Sequence, residues 1–136
     1  MKHQIAIITP APDLVEAVVQ HSMLRQAVER EKVDFHLVNL REFGEGNYRQ
    51  TDDTPFGGGA GMVMMAGPLF KAIEVAIEKV GGPDDLRIIY PSPQGKTWTH
   101  ELAVENSSVQ KLIVICGHYK GIDERVIEKY VTHEYS

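Results

Sequence analysis

The chain has 136 residues, 43% of them hydrophobic, which suits one globular domain with its own core and leaves little room for a second. Fourteen basic against nineteen acidic residues give a formal net charge of -5, which argues against a surface made for non-specific polyanion binding but leaves open a nucleic-acid substrate held by a local patch. A single cysteine, Cys116, excludes an internal disulfide and a cysteine metal site and points to a reducing, cytoplasmic setting, and the apolar run behind Met1 is too short for a signal peptide or a membrane span.

In chain order, residues 5–9 form a short β-branched run that reads as a buried strand. Pro10 and Pro12 close it, and Asp13 reads as an N-cap. Leu14, Val15, Val18, Val19, Met23 and Val28 then recur at helical spacing, which predicts one helix reaching about residue 31. Residues 35–40 are the second strand. Residues 41–61 read as a long loop, carrying Gly44, Gly46, Asp52, Asp53 and Pro55 and ending in a glycine-rich run at 57–61.

A helix over 68–80 follows, with Leu69, Ile73, Ala76, Ile77 and Val80 on one face, and Gly81-Gly82-Pro83 stops it. Residues 86–90 are the third strand, broken by Pro91. A short helix is predicted over 99–106. Residues 111–116 are the fourth strand, continuously apolar through Leu112, Ile113, Val114 and Ile115, as in a strand buried on both faces. A tight loop occupies 117–121 and a short helix 123–130, opened by Asp123, Glu124 and Arg125. The tail from 131 to 136 leaves open a further strand. Strands alternating with helices imply an α/β domain with a mostly parallel sheet and helices on both faces.

In such sheets ligands bind outside the carboxyl ends of the strands. Two loops follow buried strands directly, at 90–95 and 116–121, and both combine residues that let a ligand approach the main chain. An ordinary strand-to-helix turn would have the same composition. The glycine run is neither a dinucleotide fingerprint, because position 62 is Met62, nor a Walker A loop, because no Gly-Lys-Ser/Thr follows. It leaves a side-chain-poor segment that a second surface can approach, or a linker. Asp52 and Asp53 fit a solvated turn, Cys116 a small apolar filler, and the six histidines show no metal-ligand spacing. No nucleophile, base and orienting group can be assembled by spacing. The residues taken alone therefore reach an α/β domain with a small-ligand site at the ends of its third and fourth strands.

Three segments together go further: TDDTPFGGGAGMVMM at 51–65, YPSPQG at 90–95 and ICGHYKGIDERV at 115–126. In this order and on this strand pattern the chain resembles the bacterial tRNA (guanine-N1) methyltransferase (TrmD) family, knotted enzymes of the SPOUT class. The resemblance implies a trefoil-knot methyltransferase domain across residues 1–136. It implies methyl transfer from S-adenosylmethionine to N1 of the guanine just 3′ of the tRNA anticodon, by a cytoplasmic homodimer, with Mg2+ as an additional candidate ligand.

By the same resemblance Tyr90, Pro91, Ser92, Pro93 and Gly95 line one side of the donor pocket, and Gly117, Tyr119 and Gly121 another. Gly57, Gly58 and Gly59 border the site across the dimer interface, and Asp52 helps to read a neighbouring guanine. Two positions depart from the family: His118 and Lys120 stand where it usually has Arg and Glu, which places a positive charge near the methionine end of the donor. The family also continues past the position of Ser136, with the segment that completes the knot and a helical tRNA-binding domain carrying the general base. The expectation is thus a truncated donor-binding domain with no catalytic residue of its own and no metal site. The competing readings are a knotted methyltransferase acting on ribosomal RNA, and a non-catalytic nucleotide- or partner-binding domain of the same fold.

Overall fold

The computed structural model describes residues 1–44, 52–53, 63–117 and 121–136, with the backbone alone at 52, 53, 63 and 64. Its core is a five-stranded sheet in the order β2-β1-β6-β5-β8, with every neighbouring pair parallel. The strands are β1 (His3–Thr9), β2 (Val33–Asn39), β5 (Leu86–Lys96), β6 (Lys111–Ile115) and β8 (His133–Tyr135). A small second sheet, β3-β4-β7, joins β3 (Asp52–Asp53), β4 (Val63–Met64) and β7 (Gly121–Ile122). The α/β class and the parallel sheet match the alternation in the sequence.

The first predicted helix is instead two helices, α1 (Pro12–Val19) and α2 (Ser22–Glu29). The ladder of α1 closes when the Gln20 N–H turns back to the Glu16 carbonyl and the His21 N–H to the Val18 carbonyl; His21 is extended and Ser22 takes a φ of +56°. No glycine or proline marks this break, so the periodicity of the apolar residues ran straight across it. Ala11, not Asp13, is the N-cap; Pro12 opens the helix with a φ that proline already favours, and Asp13 lies in the first turn at the positive end. The apolar stripe is largely left outside the core: Leu14 is 66% exposed, Met23 71%.

The third long helix, α3 (Ala66–Val80), starts two residues earlier than predicted. Leu69, Ala72, Ile73, Ala76 and Val80 are buried at the spacing that puts them on one face, against Ala6, Ile8, Val38, Ile88, Ile113 and Ile115 of the sheet. Its end is fixed twice. Gly81 takes a φ of +101°, the left-handed conformation that a residue with a Cβ resists. The buried Lys111 then donates from Nζ to the Gly81 carbonyl at 3.0 Å and the Gly82 carbonyl at 3.3 Å, placing a cation at the negative end of the helix.

The two faces of the sheet are not equally covered. On the α3 face β6 presents Ile113 and Ile115, both fully buried; on the other, Leu112 and Val114 are only half-buried. That second face carries α1 and α2 over its β2 flank and α4 (His100–Ser107) over its β5–β8 flank, where Leu102 packs with Ile89 and Tyr135. The expectation of a fourth strand buried on both faces is corrected accordingly: continuous apolarity here reflects one sealed face and one partly covered one. Ile113→Ala is expected to cost about 2–5 kcal/mol in urea unfolding, the range for a large-to-small change in a sealed core, and Val114→Ala less than half as much.

Candidate functional site

Because β5 and β6 are parallel neighbours, with Leu86 opposite Lys111 and Ile89 opposite Val114, their carboxyl ends lie at the same edge of the sheet. The chain leaving β5 runs to α4 on one face. The chain leaving β6 runs to α5 (Glu124–Lys129), whose buried Val126 joins the α3-side core on the other. Adjacent strands with exits to opposite faces leave a crevice between them, the switch point where ligands bind in open α/β sheets. The described residues of both loops singled out in the sequence stand at this crevice.

The first loop does not end its strand, as the proline at 91 suggested, but interrupts it. Pro91 and Lys96 are both in register with Tyr135 of β8, so Ser92, Pro93, Gln94 and Gly95 bow off the ladder and return. The Ser92 Oγ accepts from the Gln94 N–H at 3.2 Å and rounds the bow. Gly95 makes the return possible: a Cβ there would lie 2.6 Å from Tyr135 N and 2.6 Å from the Glu134 carbonyl carbon. Past it, the Ser136 N–H donates to the Lys96 carbonyl and the Trp98 N–H to the Ser136 carbonyl, both at 2.9 Å. Tyr90 is buried where the bow begins, and burial, then the Glu134 carboxylate, pushes its phenol above the usual range.

The second loop begins at Cys116, whose N–H donates to the Ile8 carbonyl at 2.8 Å, and Gly117 is exposed beyond it. Burial raises the Cys116 thiol and holds it protonated, as a small apolar filler should be. Gly121 resumes the chain in β7, where a Cβ would meet the Tyr90 hydroxyl at 3.8 Å, an ordinary contact. The structure therefore brings Tyr90, Pro91, Ser92, Pro93, Gly95, Gly117 and Gly121 to one region.

Asp52 is joined to that region through the small sheet. It pairs antiparallel with Met64, and Met64 and Val63 pair parallel with Ile122 and Gly121. Tyr119, His118, Lys120, Gly57, Gly58 and Gly59 lie outside the described residues. Asp123 closes the region as the N-cap of α5, its Oδ1 accepting from the Arg125 N–H at 2.9 Å; the Arg125 guanidinium pairs with it at 2.7 Å and holds its carboxyl below the usual range.

A group that the sequence reading passed over stands behind the bow. The Asn106 side-chain amide donates to the Tyr135 hydroxyl at 3.2 Å, and Arg87 reaches Asn106 Oδ1 at 3.2 Å and the Glu105 carboxylate at 2.9 Å. Trp98 meets the Tyr135 ring edge-on, with centroids 5.1 Å apart. No local pattern marks these residues, since they come from β5, α4, β8 and the segment between β5 and α4, and the group is complete only when β8 joins the sheet.

A cavity of about 770 Å³ lies elsewhere, between α1, α2 and the outer strand β2, lined by Val19, His21, Val28, Phe35 and Leu37 among others. It is separated from β5 by β1 and β6, and its walls are helix sides and an edge strand, not strand-end loops. The crevice is the better candidate, because its main chain is bowed off the ladder and carries hydrogen-bonding groups that the sheet does not use. Among the described residues no three histidine, cysteine or acidic side chains gather to hold a metal, and no helix is long and apolar enough to cross a membrane.

Residues 3–136 match the model of the family described as tRNA (Guanine-1)-methyltransferase TrmD. A tRNA (guanine-N(1)-)-methyltransferase of Caldanaerobacter subterraneus subsp. tengcongensis is 44% identical over 120 residues, which cover 88% of this chain and 48% of that protein. One from Nitrosomonas europaea is 42% identical across 100% of this chain and 51% of its own length. Among solved structures, the tRNA (m1G37) methyltransferase from Aquifex aeolicus aligns with a TM-score of 0.86 at 30% identity, over 98% of this chain and 59% of that one. The chain spans about half the length of the curated relatives it matches.

Two substitutions test this geometry. Gly95→Ala is expected to destabilise the protein by about 1–3 kcal/mol in urea unfolding, as overpacking against backbone does, and to speed hydrogen exchange at Tyr135 and Ser136 before the rest of the sheet. Asp123→Ala is expected to cost about 1 kcal/mol near neutral pH. The folded carboxyl titrates below its unfolded value, so its contribution is present above the ordinary aspartate range and is lost as pH falls through the depressed one. The gap between the melting temperatures of the two proteins should therefore close in acid.

Proposed function

This chain belongs to the tRNA (guanine-1)-methyltransferase family, and from that premise we propose that it forms the donor-binding domain of an enzyme that methylates N1 of the guanine just 3′ of the tRNA anticodon, with S-adenosylmethionine as donor. The observation that carries the reading is the crevice: two loops at the ends of adjacent parallel strands, one of them bowed off its ladder between Pro91 and Lys96.

The residues present fit the donor. An adenine edge needs a few fixed donors and acceptors close to an apolar floor. Main chain from Ser92 to Gly95 supplies the first, and Tyr90 with Ile122 the second. Gly117 leaves the opposite wall open for close approach. When bound, S-adenosylmethionine supplies a methyl group already activated by its positive sulfur. This chain contributes position: it holds that group at the mouth of the crevice while the backbone pairing through Ile122, Met64 and Asp52 ties the wall of the crevice to the segment proposed to read the tRNA.

Asp52, if turned to the substrate, accepts from the Watson–Crick edge of a guanine. Holding the two reactants in line accounts for several kcal/mol of the barrier, and a base that takes the N1 proton adds about 10²–10⁴-fold in rate. In this proposal that base, and the helical domain that grips the tRNA, belong to the part of the longer relatives that this chain does not span. The glycine run 57–61 completes the site from a second copy of the protein.

Calorimetry of the full-length gene product with S-adenosylmethionine tests the reading. Saturable one-site binding is expected, weakened by substitution of Ser92 and Gly95. Absence of binding would favour a non-catalytic domain of the same fold. The 136 residues alone are expected to bind the donor weakly and to show no turnover on tRNA, so measurable N1-methylguanosine formation by them would overturn this division of labour.

A further inference from the structure

We propose that Tyr135 is the positioning residue of the donor crevice, acting through the two feet of the bowed loop; the inference rests on the reading of that crevice as the donor site. Pro91 and Lys96 are both set against Tyr135, so one residue of β8 defines where the loop leaves the sheet and where it returns. Between the feet, Gly95 rides on the main chain of Glu134 and Tyr135 with no room for a Cβ. Any displacement of Tyr135 is therefore passed to the loop and not absorbed by a gap.

Tyr135 is itself held from behind. Only 7% of it is exposed, its hydroxyl accepts from Asn106 at 3.2 Å, and its ring edge meets Trp98. Asn106 is buried and is fixed in turn by its donation to the Leu102 carbonyl at 2.9 Å and by Arg87 on its carbonyl oxygen. The result is a chain of contacts from α4 through one hydroxyl to the floor of the loop. A residue that served packing alone would need the ring but not the hydroxyl, nor the amide aimed at it.

The test uses Tyr135→Phe, which keeps the ring and loses the hydroxyl, and Asn106→Ala, which removes its partner, both in the full-length protein. Each is expected to raise the donor KM and the calorimetric Kd for S-adenosylmethionine about three- to tenfold, the span of one hydrogen bond. The double variant should be no worse than the weaker-binding single one, and kcat and the KM for tRNA should stay within about twofold. Loss of thermal stability with donor affinity unchanged in both variants would overturn the proposal and leave Tyr135 a packing residue.

The wild-type protein gives a second readout. Trp98 is the sole tryptophan of residues 1–136 and meets the Tyr135 ring, so its emission in the longer protein is read as the difference between wild type and Trp98→Phe. Saturating S-adenosylmethionine is expected to change its emission, and an unchanged spectrum at a donor concentration where calorimetry shows full occupancy overturns the proposal. Failure of the wild-type protein to bind the donor at all would instead refute the donor-site reading, so the two failures are distinguishable.

Discussion

The parallel pairing of β5 between β6 and β8 is the constraint on which the rest of this structure depends. It puts two strand exits side by side at one edge, and the helices that follow them lie on opposite faces, so the exits diverge and a crevice opens between them. Within that frame the main chain supplies the site. Prolines cannot donate to a ladder and glycine can press against a neighbouring backbone, so the sequence from Pro91 to Gly95 departs from the sheet and returns to it without ending the strand.

The same sheet explains how distant parts of the chain are tied to one place. β7 follows the second crevice loop directly and pairs with β4, which pairs with β3 and so with the backbone of Asp52. Two-residue strands have little stability of their own. Their pairing makes sense as an extension of the crevice wall, anchored by the buried Ile122. At the opposite edge of the strands the structure is purely supportive: Lys111 locks the end of α3, and Asp85 accepts from the Gln110 N–H at 3.0 Å.

The uneven cover of the sheet is the second organising feature. The α3 face is sealed by small and branched residues that interdigitate with Ile113 and Ile115, whereas the other face leaves Leu112 and Val114 half-covered between α1–α2 and α4. Exposed Leu14, Val18, Met23 and Val104 stand on the flanks of this trough.

The sequence by itself determined the class of fold, the positions of β1, β2 and β6, the start of β5, the helix stop at Gly81 and the cap at Asp123, because each rests on a local signal: a β-branched run, an obligatory left-handed glycine, a carboxylate beside open N–H groups; the two-residue strands β3, β4 and β7 carry no such signal. It also identified the two crevice loops, since the prolines and glycines that shape them are consecutive. It misjudged the helix break at Gln20–His21 and the cover over β6, where periodicity records which residues are apolar but not what lies above them. Only the tertiary structure decided that Pro91 to Lys96 is an interruption and not an end, and that Arg87, Asn106, Trp98 and Tyr135 form one group. The reason is the same for both: these features exist only once β8 has paired with β5, and a partner more than 35 residues away leaves no trace in the spacing of the residues that it organises.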